Sequence, residues 1–344
     1  MNVVFSSSDL YAKCTGVAIY SLLLSNSSIK ELNIYLLSTD VSPENINTIN
    51  QMVKKYGRNF IVIQASELLK AAQRDLGLSD FKGGLNTYAR AIANKVLPES
   101  IDKALFVDSD ILFNGDLSEL DKLDMSDSIV AGVPEAMLMT KYVCYENKDL
   151  LSNCENYINY GVVYFNMENW RRFNGDKLIR ECVSQALYDF RIAEQSIMNL
   201  AFKDYTKLMP VKFNFYTMLH GISFKTMRRW YPKRELFSLN EFEEAVLSPI
   251  IIHFVGDYFN RPWYKGNICR YNSLYQKYFM SSPWKEDGLD DIPNDFSLIF
   301  KVYYNVLIFL RKYRFDNCYF LLRYIIIQFI REKFPFVEKI RRKL

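Results

Sequence analysis

A chain of 344 residues can hold one large α/β domain with an appendage, or two smaller domains. Apolar residues make up 49% and charged residues 24%, as in a globular protein with a sizeable core, and the six cysteines contain no CxxC pair, which argues against a zinc site or a disulfide framework and for a reducing compartment. The net charge of +4 hides a local excess, ten Lys or Arg against three acids from Arg311 to Leu344, so no general nucleic-acid surface is expected.

The elements follow in chain order. Asn2 to Phe5 predicts a strand that runs into a Ser/Asp loop, and Ala12 to Leu24 has helical spacing. Leu32 to Leu37 predicts a second strand, Pro43 to Tyr56 a helix, and Phe60 to Ile63 a third strand. Thr87 to Val96 predicts a helix closed by Pro98, and Ala104-Leu105-Phe106-Val107 a buried strand. Ile129 to Val133 suits another strand, Tyr157 to Met167 a strand pair or a bend around Gly161, and Lys177 to Phe190 a helix. Ser248 to Val255 reads as a buried strand with His253 at its end. This alternation indicates a parallel, nucleotide-binding type of sheet. The first apolar run, Val3-Val4-Phe5, is too short for a signal peptide, and no stretch reaches the roughly 18 uncharged apolar residues of a spanning helix.

Asp108-Ser109-Asp110 interrupts the apolar run abruptly, with Ile111-Leu112-Phe113 after it. In open α/β folds ligands sit at strand ends and in the loops that follow. Two Asp at i and i+2 can turn to one point and offer hard oxygens to a divalent cation, which suits diphosphate chemistry. Solvated acids at a capped turn are the plainer alternative.

Five further segments accompany the pair. They are Phe5-Ser6-Ser7-Ser8-Asp9-Leu10-Tyr11, Tyr88-Ala89-Arg90, Asn159-Tyr160-Gly161, Glu194-Gln195, and His253-Phe254-Val255-Gly256 with Arg261-Pro262-Trp263. Their order and spacing resemble the retaining glycosyltransferases of family 8, which include glycogenin and the lipopolysaccharide galactosyl- and glucosyltransferases. The resemblance covers residues 2 to 265. It implies a GT-A type nucleotide-diphospho-sugar transferase fold over residues 1–280, followed by a C-terminal helical extension over 281–344.

The resemblance also implies site roles. Asp108 and Asp110 match the family's metal-binding pair for Mn²⁺ or Mg²⁺, with His253 as a third ligand. Ser6, Ser8, Asp9 and Tyr11 would cradle the nucleoside of a UDP-sugar, although Ser8 and Leu10 depart from the family's usual acid or Asn and polar residue. Arg90, Asp108, Ser109, Asn159 and Gly161 would meet the rest of the donor, and Tyr160, where relatives often carry Ala, would make one pocket wall bulkier. Gly256 and Arg261 match a phosphate loop in which Arg replaces Lys, and Arg can grip two phosphate oxygens. Gln195 and Glu194 would stand at the anomeric carbon. An amide oxygen is a poor nucleophile, so attack from the face the diphosphate leaves, with Gln195 steadying an oxocarbenium-like sugar, is preferred over a covalent intermediate. Trp170-Arg171 is read as packing and surface charge, and Arg228 to Arg234 as a solvated basic loop.

Ser281 to Pro293, with Pro, Gly and several acids, is the expected domain boundary. Beyond it, Ile, Leu, Phe and Tyr mix with Lys and Arg, as in helices lying on an anionic membrane surface; a helical subdomain docked on the core is the alternative. The expected protein is a cytoplasmic, peripherally membrane-bound hexosyltransferase acting on a glycan or glycolipid. A catalytically silent sugar-nucleotide-binding scaffold is the rival from another class. A nucleotidyltransferase also uses paired Asp, but no Gly-rich loop with a Lys stands near the N-terminus.

Overall fold

The computed structural model describes residues 1–76, 88–135, 154, 156–185, 193–230, 237–292, 298–319, 321 and 322. The expected elements β1 (Asn2–Ser7), α1 (Ala12–Ser25), β2 (Asn33–Ser38), α2 (Pro43–Lys55) and β3 (Asn59–Gln64) form where the sequence places them. Pro43 sits at the start of α2 and Ser42 caps it, its hydroxyl accepting from the Asn45 N–H. Helix α3 (Ser66–Leu76) follows β3, and its apolar positions Leu69, Ala72 and Leu76 are buried. The predicted Thr87 helix is shorter than expected, a 3₁₀ turn at Arg90–Ile92 continued by α4 (Ala93–Val96). Asn86 and Thr87 lie outside the described residues.

Strands β4 (Lys103–Val107), β6 (Val130–Pro134), β7 (Ile158–Asn166) and β8 (Thr206–Leu208) complete a sheet of order β3-β2-β1-β4-β7-β6-β8. The sheet is mixed and not parallel throughout, because β7 runs antiparallel to both β4 and β6. Tyr157 to Met167 is a single strand with a register shift in place of a strand pair. Gly132 pairs with Val163 and Pro134 with Ile158, so two steps on β6 oppose five on β7. Such a bulge re-aims side chains. It breaks the alternation at Asn159, Tyr160 and Gly161.

A second, three-stranded sheet of order β5-β10-β9 closes the same end, with β5 at Ile111–Phe113, β9 at Phe215–Tyr216 and β10 at Ile251–His253. The antiparallel register sets His253 against Ile111, next to Asp110. Helices α5 (Met167–Arg172), α6 (Gly175–Gln185) and α7 (Ala193–Ala201) cover the large sheet, with Trp170 fully buried as expected. The predicted helix runs on to Phe190, and residues 186–192 lie outside the described set.

Residues at the expected boundary pack closely. The Trp284 ring lies against Gly16 of α1 and its indole N–H donates to Asn45 Oδ1. A C-terminal helix, α8 (Leu298–Lys312), docks on the core through buried Tyr304, Leu307 and Arg311, which follows the docked alternative for this face. The basic end at residues 323–344 lies outside the described residues. Among the described residues, no helix is long and apolar enough to cross a membrane.

Candidate active site

The β4 exit carries Asp108, whose N–H is fixed by the Gly161 carbonyl at 2.8 Å. The small sheet holds the other side, with the Phe254 N–H donating to the Asp110 carbonyl at 2.9 Å. These two anchors bring one carboxylate oxygen from each Asp and one nitrogen of His253 to within 4.8 Å of one another. His253 Nε2 is 3.2 Å from Asp110 Oδ1 and 3.7 Å from Asp108 Oδ2. Its other nitrogen, Nδ1, faces Asn214 Oδ1 at 2.9 Å. That contact suits a proton on Nδ1, so that in the neutral imidazole the Nε2 lone pair faces the acids. Burial works against a charged imidazole, but Asp110 and Asp108 outweigh it and hold the His253 pKa above the ordinary value. Burial opposes a charged Asp110 too, yet His253 and Arg261 keep its pKa low. Two hard oxygens and an imidazole nitrogen make a donor set suited to Mn²⁺ or Mg²⁺.

Gly161 is required at this point. A Cβ there meets the His253 ring, Asn159 Oδ1 and Asp108 Oδ2. The expected close approach of a ligand is therefore matched by close approach of the protein's own groups.

Arg90 is buried and joins two carboxylates. Its Nη2 lies 2.5 Å from Asp108 Oδ1 and its Nη1 lies 3.3 Å from Glu194 Oε2. Glu194 Oε1 accepts from the backbone N–H groups of Arg90 and Ala91 at 2.5 and 2.9 Å. Burial pushes the Glu194 pKa up to about 7, although Arg90 opposes it. Both Glu194 oxygens are thus engaged with the Arg90 turn, and Arg90 stands between Glu194 and Asp108.

Gln195 and Asn159 share a network that the sequence did not reveal. Asn159 Nδ2 donates to Glu135 Oε2 at 2.7 Å and to Gln195 Oε1 at 3.4 Å. Asn159 Oδ1 accepts from the Gly161 N–H and from Asn214 Nδ2, both at 2.9 Å. Gln195 Oε1 accepts from the Tyr160 N–H at 3.1 Å, and its Nε2 donates to Glu135 Oε2 at 3.3 Å. The hub is Glu135, just past β6 and buried. Its only sequence signal is an acid directly after an apolar strand, the same signal that marks Asp108.

The remaining predicted residues divide. Tyr11 and Arg261 come together, and Arg261 also feels Asp110. Arg261 lies over the Tyr258 and Trp263 rings at 5.9 and 5.6 Å, and its Nε has no hydrogen-bond partner. An unpaired guanidinium donor beside a metal-type cluster suits a phosphate oxygen. Gly256, at φ +125°, adopts a conformation that favours glycine, and a Cβ there meets Met218 Sδ. The Ser109 hydroxyl turns inward, donating to the Ser6 carbonyl at 3.0 Å and accepting from Thr15 at 2.8 Å. The Asp9 carboxylate accepts from the Ser42 N–H at 2.7 Å and Asn45 Nδ2 at 2.9 Å, and these bonds lower its pKa. It thereby ties its loop to the start of α2, where Ser42 is the cap. Ser8 makes no side-chain cap bond. Tyr160 is buried and packs in the core near Phe165.

Known proteins resemble this chain in sequence and in fold. The sequence model of glycosyl transferase family 8 matches residues 2–266. The lipopolysaccharide 1,2-glucosyltransferase of Escherichia coli K12 is 25% identical over 304 residues, spanning 85% of this chain and 81% of that protein. The structure of the galactosyltransferase LgtC with donor and acceptor sugar analogues superposes with a TM-score of 0.62 at 19% identity, covering 83% of this chain and 99% of that one. The bifunctional glycosyltransferase WbbM superposes with a TM-score of 0.66 at 21% identity, covering 83% of this chain but half, 50%, of that one. The shared fold is the GT-A type.

Proposed function

This chain belongs to glycosyl transferase family 8, and from that membership we propose that it is a retaining hexosyltransferase. It moves glucose or galactose from a UDP-sugar to a hydroxyl of a lipopolysaccharide, capsule or other cell-surface glycan. The observation that carries the reading is the convergence of Asp108, Asp110 and His253 beside Arg261. Asp108, Asp110 and His253 would hold Mn²⁺ or Mg²⁺, and the cation would supply positive charge to offset that of a departing diphosphate. Arg261 adds a guanidinium on the same side, and Tyr11 covers the nucleoside. Arg90, steadied by Glu194, orients Asp108 and the donor sugar. Gln195 stands with the Glu135 carboxylate behind it, 3.3 Å from its Nε2, and this negative environment steadies the positive charge that develops as the anomeric bond opens. The acceptor attacks from the face the diphosphate leaves, so configuration is retained.

The enzyme works at the cytoplasmic face, with its C-terminal segment against anionic lipid. Supporting this, Val302, Val306, Phe309 and Tyr313 are 57%, 42%, 54% and 56% exposed at helical spacing, with Lys301, Lys312 and Arg314 exposed beside them. The test is co-sedimentation of the full chain with vesicles: binding to phosphatidylglycerol but not to phosphatidylcholine is the expected outcome, and no binding to either overturns this placement.

The test of the activity is UDP release, with Mn²⁺ and a panel of UDP-sugars, against Asp108→Asn. Wild type turns over at least one UDP-hexose and the variant, still folded by circular dichroism, does not. A wild type that binds UDP-sugars without ever releasing UDP, even with acceptor glycans supplied, turns the chain into a binding scaffold instead.

A further inference from the structure

The loop from Gly256 to Arg261 is held from far along the chain. A 3₁₀ turn at Tyr258–Asn260 leads directly into Arg261. The Tyr258 N–H donates to the Tyr304 hydroxyl of α8 at 2.9 Å. The Tyr319 hydroxyl donates to Asp257 Oδ2 at 2.9 Å and accepts from Asn260 Nδ2 at 3.5 Å. Two tyrosines therefore grip both ends and the middle of this turn. Between them the Phe259 ring lies edge-on to Tyr304 at 4.9 Å and to Tyr319 at 6.3 Å.

The tyrosines are themselves locked. Asp316, buried, takes Arg311 Nη1 at 2.6 Å on one oxygen and Arg270 Nη2 at 2.5 Å on the other. Arg311 also donates to the carbonyls of His220 and Thr217 and lies 5.1 Å from the Tyr319 ring. Breaking such a buried charge cluster is costly, so the docked segment keeps one position on the core.

We propose that the C-terminal segment is part of the donor site, with Tyr304 and Tyr319 as positioning residues that set the loop presenting Arg261 to the donor diphosphate. This rests on the reading of Arg261 as a phosphate-gripping side chain. A backbone N–H and an Asp–Asn pair satisfied by hydroxyls from another element lose their fixed geometry when those hydroxyls go. The loop then samples conformations that do not bind diphosphate, and donor affinity falls by the fraction lost.

The experiment uses the full chain with Tyr304→Phe, Tyr319→Phe and the double variant. These keep the rings and their packing. Mn²⁺–UDP affinity is measured by calorimetry, and KM and kcat with a UDP-hexose by UDP release. Each lost hydroxyl raises the UDP Kd and the donor KM about fivefold, with kcat within about twofold of wild type and at most a small fall in melting temperature. Wild-type Kd and donor KM in the double variant overturn the proposal. So does a loss that appears in kcat and melting temperature while donor KM stays constant, since that is the mark of a purely structural role. A wild-type chain with no affinity for UDP under Mn²⁺ or Mg²⁺ refutes the reading of the site first, and the positioning role falls with it.

Discussion

Asn214 holds the Nδ1 edge of the His253 imidazole, its Oδ1 2.9 Å away, while its own Nδ2 donates to Asn159. One buried amide thus ties the histidine to the β7 bulge and leaves Nε2 for a cation. Groups that orient a metal-bound histidine in this way typically account for about ten- to a hundredfold in metal affinity. Asn214→Ala is expected to weaken Mn²⁺ binding by that factor, read by calorimetric titration. Its melting temperature in EDTA serves as the control for folding. Unchanged Mn²⁺ affinity in a folded variant removes His253 from the cation site.

The pH dependence follows from the charges facing His253, namely Asp110, Asp108 and, farther off, Glu135. Its folded pKa is raised, so in the cation-free protein the imidazolium contributes stability that is fully present below the unfolded value of about 6.5. That contribution is lost as pH rises through the folded pKa. Cation binding has the opposite sign, because Nε2 must first lose its proton. Between about pH 6 and 8.5 the melting temperature without cation should therefore fall, while the increase produced by Mn²⁺ should grow. His253→Ala flattens both trends. Scanning fluorimetry with and without Mn²⁺ decides it, and a Mn²⁺ effect that ignores pH sinks the ligand assignment.

The residues legible in the sequence are those that contradict their surroundings. Asp108 and Asp110 break an apolar run, and His253 ends another, so each draws notice without a partner in view. Glu135 carries the same signal but lies beside no motif, and only the fold shows that its carboxylate ties Asn159 to Gln195. Asn214 was hidden because its role depends on a two-residue strand, Phe215–Tyr216, pairing with β10, and such pairing has no periodicity to read. Asp9 shows the limit of local reasoning. An acid before a helix suggests a cap, yet its partners are Ser42 and Asn45, more than thirty residues on. Tyr160 was expected at a pocket wall from the Ala that relatives often carry there, and its ring packs in the core near Phe165, beside the register shift in β7.

Gly161 sits where that shift brings β7 against the site. A methyl group there has to displace the His253 ring, Asn159 Oδ1 or the Asp108 carboxylate, and the two polar groups are fixed by hydrogen bonds. Overpacking of this kind costs about 1–3 kcal/mol. Gly161→Ala should lower the melting temperature accordingly and abolish the Mn²⁺-dependent increase in the same step. A variant that loses stability but still binds Mn²⁺ as well as wild type shows that the aspartates and His253 do not need their present spacing.

Glu135 offers the sharpest test of the chemistry at the sugar. Its Oε2 accepts from the amide nitrogens of both Asn159 and Gln195, which forces the Gln195 carbonyl toward the Tyr160 N–H. Glu135→Gln keeps the shape, removes the charge and frees the Gln195 amide to turn. If that charge steadies the sugar as its bond to diphosphate opens, the effect falls on the chemical step and not on donor binding. The expected outcome is a kcat lower by about a hundredfold or more with UDP affinity within a few-fold of wild type, as for loss of one charge-stabilising group in other active sites. Rapid-quench single turnover with a UDP-hexose separates chemistry from product release. A wild-type single-turnover rate in Glu135→Gln confines that carboxylate to holding the two amides in place.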